Sequence, residues 1–123
     1  MTEERTFTKD QADAMLPELR LRLDRIRTNR QIMLGAAERI REQVAADGGG
    51  HFGNDYWDAS RALKADIEAL AAENVLVRDP ETGLVDFPGV REGRPVFLCW
   101  RLGEDAVAHW HDVDSGFLGR RPL

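Results

Sequence analysis

The chain has 123 residues, 42% of them hydrophobic and 32% charged, with a net charge of −5. Those values suit one soluble folded domain with a real core and exclude a disordered chain. The longest apolar run, PVFLCW, is far short of the roughly 20 residues that cross a bilayer, and the opening MTEERTFTKD has no apolar stretch of a secretory signal.

No membrane partner is therefore expected, and a cytoplasmic location is. The single cysteine, Cys99, agrees with a reducing compartment because it can form no internal disulfide. Charge is uneven: residues 1–47 carry nine Lys/Arg against nine Asp/Glu, residues 48–123 eight against thirteen. Nucleic acid would have to overcome that acidity through a local basic stripe, and is disfavoured as a partner. Arg20, Arg22, Arg25, Arg27 and Arg30 read as the flanks of a helix seam that pair with the acidic half.

Thr8 and Gln11 have the spacing of a capping box, which predicts a helix from Lys9. Leu16, Leu19, Leu23, Ile26, Met33, Ala37, Ile40 and Val44 then alternate three and four apart, with Arg30 interrupting. This seam predicts one long helix over 9–46, a rod of roughly 57 Å. Pro17 either kinks its first turns or opens its regular part. The glycines of DGGGHFGN stop it. Asn54 or Asp55 can cap a second helix over 54–74, with Tyr56, Ser60, Leu63, Ile67 and Leu70 facing the first in an antiparallel hairpin. At about 30 Å the second helix covers about half of the first, leaving the stripe from Met15 to Ile26 without a partner.

After Asn74 the period changes. VLVRDPETGLVDFP reads as two strands about a turn in which Pro80 presets one dihedral and Gly83 takes a positive φ. REG and GED make two further turns, with Pro88 ending one strand and Pro95 opening the next. The fold class predicted is α+β: a long antiparallel helical hairpin packed on a small three- or four-stranded antiparallel β-meander. It forms a single domain over 1–123, with the sheet over 75–112 and a docking tail over 113–123 anchored by Phe117.

Alternation sets Val96, Leu98 and Trp100 on one sheet face and Phe97, Cys99 and Arg101 on the other. A three-residue GED loop would place Cys99 opposite His109, so that the less apolar face gathers Phe97, Cys99, Arg101, His109 and His111, whereas a two-residue loop would mix the faces. Histidines two apart on a strand point the same way. His109 and His111 are thus candidate ligands for a divalent metal of the zinc type, with Glu104, Asp112 or Asp114 as oxygen donors, although two ligands make only half a site. Cys99 beside His109 would suit a thiolate and its base, but no oxyanion-hole motif accompanies it, and a small buried hydrophobe is the plainer reading. No phosphate loop, nucleophile elbow or helical metalloprotease motif occurs.

GLVDFPG followed by GRPVFLCWRLGE, then WH, GF and GRRPL, resembles the tail of a bacterial family, domain of unknown function 2203; FTKDQADAMLPELR is similar to its N-terminal segment. The likeness spans nearly the whole chain. It implies a shared fold and a cytoplasmic bacterial origin but no reaction, since the family has no established activity. The family pattern requires no histidine at position 109, which favours His111 acting singly with Glu104, Arg101 or Asp86.

Two functional expectations follow. The first is a non-enzymatic module that self-associates as a homodimer, or binds another protein, through the uncovered stripe of the long helix. The second is a metal- or anion-binding protein, or a small enzyme, with its site on the polar sheet face at Asp86, Arg101, Glu104, His111 and Arg120. There Glu104 or Asp86 would serve His111 as carboxylate partner, and Arg101 or Arg120 would orient a small anionic ligand. No catalytic residue is assigned.

Overall fold

The structure, a computed structural model, describes residues 5–47 and 53–123. Helices α1 (Lys9–Asp47) and α2 (Asn54–Ala72) precede strands β1 (Leu76–Asp79), β2 (Leu84–Arg91), β3 (Arg94–Arg101), β4 (His109–Asp112) and β5 (Arg121–Pro122). A 3₁₀ turn at Phe117–Gly119 lies between the last two strands. The glycine loop read as the end of the first helix falls outside the described residues.

The N-terminal box of α1 is formed as its spacing predicts. The Gln11 backbone N–H donates to Thr8 Oγ1 at 3.1 Å, and the Thr8 N–H donates to Gln11 Oε1 at 3.0 Å. The helix runs on through Pro17. At the start of α2 the capping residue is Gly53, without a side-chain hydrogen bond, so neither Asn54 nor Asp55 acts as the predicted cap. Asn74 takes a left-handed φ of 65° just past the helix and reverses the chain into β1. The helices are antiparallel: Arg25 forms a two-pronged ion pair with Asp66, while Ala36 and Ile40 share a groove with Tyr56 near the start of α2.

The sheet is an antiparallel meander in the order β1-β2-β3-β4-β5. It has five strands, not three or four. The added strand lies in the segment read as a docking tail, where Trp110 pairs with Arg121 and the Leu123 N–H donates to the Ala108 carbonyl. β2 also continues past Pro88, which had been expected to end it. Pro88 lies beyond the reach of β1, whose register stops at Leu76↔Asp86, and its carbonyl accepts the Phe7 N–H at 2.8 Å. The missing proline N–H faces that same side, where no strand asks for it.

The core lies between α1 and one face of this sheet. Leu16, Leu19, Leu23 and Ile26 are buried against Val85, Phe87, Val96, Leu98, Trp100 and Trp110. Phe7 closes one end, edge-on to Phe87 with ring centroids 5.2 Å apart. Arg20 and Asp13 tie the helix to the loop before β4: Arg20 donates to the Asp105 carbonyl, and the Asp13 carboxylate accepts the Val107 N–H at 2.7 Å. The stripe expected to lack a partner is therefore covered by the chain's own sheet. Beyond Arg30 the pattern fades, and over residues 31–46 Ala36 alone is buried.

Candidate functional site

The opposite face of the sheet is polar. The register pairs Asp86 with Cys99 across β2 and β3; across β3 and β4 it pairs Cys99 with His109 and Phe97 with His111, the register expected, although residues 102–108 form a longer connection than the three-residue GED loop. β2 and β4 are separated by β3, so their side chains meet only if the residue between is small. Cys99 is that residue. Asp86 and His111 reach over it, and His111 Nε2 stands 3.0 Å from Asp86 Oδ1, both side chains about 95% buried.

The second ring nitrogen fixes the chemistry of this contact. His111 Nδ1 lies 2.8 Å from the Asp112 backbone carbonyl, an oxygen that only accepts, so Nδ1 carries a proton. Nε2 would then offer a lone pair to a carboxylate oxygen. Two acceptors do not face one another at that distance in a buried site without a positive charge between them, either a proton or a cation.

Arg78 in β1 binds the other carboxylate oxygen of Asp86 through Nε at 3.0 Å and lies over the Phe97 ring. The Cys99 thiol is raised to about 11, first by burial and then by the Asp86 charge, so it is a thiol at neutral pH. Asp86, Cys99 and His111 present ligand atoms within 4.8 Å of one another. Asp86 and His111 also line a pocket of about 380 Å³, together with Arg78, Phe97, Ser115 and Phe117.

A second cluster lies behind Cys99. Arg120 grips Glu104 through both guanidinium ends, at 2.8 and 3.1 Å, and its charge acts to lower the pKa of the nearby Cys99 thiol, against the larger effect of burial. Glu104 accepts the Arg101 backbone N–H at 2.7 Å. Burial pushes the Glu104 carboxyl up, but the Arg120 and Arg101 hydrogen bonds outweigh it and hold the group below its usual range. Phe117 packs beneath the guanidinium groups of Arg101 and Arg120, whose carbons lie 5.0 and 4.3 Å from its ring centre. That contact fastens the C-terminal segment across the polar face.

Of the residues singled out from the sequence, Asp86 and His111 meet directly, and Glu104 and Arg120 meet beside them. Arg101 contributes its backbone and a ring contact, with its side chain exposed. His109 does not join His111: its Nδ1 is buried without a hydrogen bond, 3.9 Å from Glu104 Oε2. Same-face neighbours on a strand are about 6.6–6.8 Å apart, and each ring leans to a different carboxylate.

Sequence reasoning missed Arg78 and the place of Cys99 in this cluster. The signal for Arg78 was its parity with Leu76, which pairs with Asp86 and puts Arg78 diagonal to that carboxylate.

A family model described as an uncharacterized conserved protein, DUF2203, matches residues 5–123. The chain belongs to that family. The match spans both helices, all five strands and the segment that carries Phe117 and Arg120, so the whole polar face falls inside the DUF2203 region. No curated protein and no solved structure matches the chain.

Proposed function

We propose that this DUF2203 protein is a small ligand-binding protein whose site is the pocket on the polar sheet face, and that its ligand carries an anionic group. The observation that carries this reading is the buried His111–Asp86 contact at the wall of a pocket open to solvent. A core rarely buries an ionisable pair and leaves it beside an opening without use for it. Arg78 supports an anion in particular: its Nε is engaged by Asp86, and its terminal N–H groups make no other ion pair among the described residues. The larger groove between the helices, about 600 Å³, is lined by residues such as Gly35, Ala59 and Ala62 and brings no buried polar group into it.

The test is amide chemical-shift mapping by NMR, with inorganic phosphate and a short-chain carboxylate as probes. Saturable shifts should cluster at Ser115, Gly116, Phe117 and His111 and be lost in Arg78→Ala. Shifts confined to the helices, or none at millimolar probe, would end the anion reading.

Self-association is a second reading, on different grounds from those the sequence offered. The stripe from Leu16 to Ile26 is used internally, but the far half of α1 exposes Ile32, Leu34 and Val44, and α2 exposes Trp57 nearby. Burying these against a second copy would make a homodimer. Light scattering at micromolar concentration decides it: a mass of one chain removes the reading.

A further inference from the structure

We infer that Asp86, Cys99 and His111 form a binding site for a divalent metal ion of the zinc class. This goes beyond the anion pocket and stands on separate observations. The three residues offer one oxygen, one sulfur and one nitrogen, the donor set such ions favour, and the atoms lie within 4.8 Å of one another. Ligand atoms at zinc bond lengths of about 2.0–2.3 Å in a tetrahedron are roughly 3.3–3.8 Å apart. Small side-chain rotations close that gap.

A second, independent observation comes from the surroundings. His111 donates Nδ1–H to the Asp112 carbonyl, which orients the ring and leaves Nε2 as the coordinating atom. Asp86 is held through Oδ2 by Arg78, which leaves Oδ1 on the side of Nε2. Nε2 and Oδ1 thus face one another at 3.0 Å beside the Cys99 sulfur, which is where the ion would sit. Arg120, the other cation close to Cys99, is turned to Glu104, and that pairing offsets its charge.

Protons and charge balance. As a dication binds, the thiol proton and the proton held between His111 and Asp86 leave to solvent, so the net charge of the buried site does not change. A thiol raised by burial is no obstacle, because coordination removes its proton outright. The remaining coordination position is reached from the pocket that Asp86 and His111 line.

Co²⁺ titration of untagged protein tests the site. Cys99 is the only cysteine, so a thiolate-to-cobalt charge-transfer band can come from no other residue. We expect that band with four-coordinate d–d absorption, and bleaching by Zn²⁺. Cys99→Ala should abolish the charge-transfer band, and Asp86→Asn and His111→Gln should each weaken binding by about 100-fold or more. His109→Gln should leave the spectrum and the affinity as they are. Far-UV circular dichroism reports whether each variant folds, and the wild-type spectrum decides even where one does not.

The inference is overturned if cobalt binds without a thiolate band, if folded Asp86→Asn and His111→Gln bind like wild type, or if His109→Gln abolishes binding. The phosphate mapping uses metal-free protein, so either proposal can fail while the other stands.

Discussion

The two faces of one sheet are built from alternate residues of the same strands, yet they obey different rules. On the helix side, Val96, Leu98 and Trp100 meet Leu19, Leu23 and Ile26 in a core that is continuous and apolar. On the other side, Phe97, Cys99 and His111 meet Asp86, Arg78 and Arg120, and ion pairs and polar hydrogen bonds stand among the ring contacts. The first face is stabilised by area removed from water and would tolerate apolar exchange of similar volume. The second derives little net stability from its ion pairs, since desolvation offsets much of their attraction.

The comparison breaks most sharply at Trp100. Its side chain is fully buried on the helix side, and its indole N–H donates to the Glu104 carbonyl at 3.0 Å. Trp100→Ala should cost about 3–5 kcal/mol in urea unfolding. A loss below about 1 kcal/mol would mean that the helix face is not the core.

A smaller loss is expected where the backbone rather than a side chain is specified. Gly83 has φ of 74°, and an added Cβ would stand 2.6 Å from the Leu102 Cβ, a contact no real side chain makes. Gly83→Ala should destabilise by about 1–3 kcal/mol, read in the same unfolding assay. A neutral result would show that this turn is free to relax.

The smallest effect separates the faces by pH. Because the folded Glu104 carboxyl is held below its unfolded value, it contributes stability above the unfolded value, and that contribution is lost as pH falls through the folded one. Glu104→Gln should therefore be less stable than wild type near neutral pH, with the difference closing as the solution is acidified into the carboxylate range. A difference that stays constant with pH would assign the effect to packing. Trp100→Ala, by contrast, should show the same deficit throughout.

The fold was legible where periodicity was strong. The seam from Leu16 to Ile26 and the Thr8–Gln11 box follow from spacing alone, whereas the register of Cys99 with His109 followed only once a loop length was assumed. The fifth strand did not, because a two-residue strand holding Pro122 has no alternation to read and forms only when β4 presents an edge. The partner of the apolar stripe was misjudged for a related reason: periodicity marks a buried face without saying whether a helix or a sheet covers it. At the site, Asp86 and His111 could be singled out as chemical types. Their meeting over Cys99 depends on strand order and on a small residue at the intervening rung, and pairwise spacing carries neither. Arg78 carried only its parity with Leu76, and that signal becomes usable once the pairing of Leu76 with Asp86 is known.

The most direct measurement is anomalous diffraction at the zinc edge from crystals of untagged protein grown with zinc. A peak bonded to Asp86 Oδ1, Cys99 Sγ and His111 Nε2 is the predicted result. Density in that place without an anomalous peak, or a peak bound by His109 and not by His111, would contradict the assignment of a metal to the polar face.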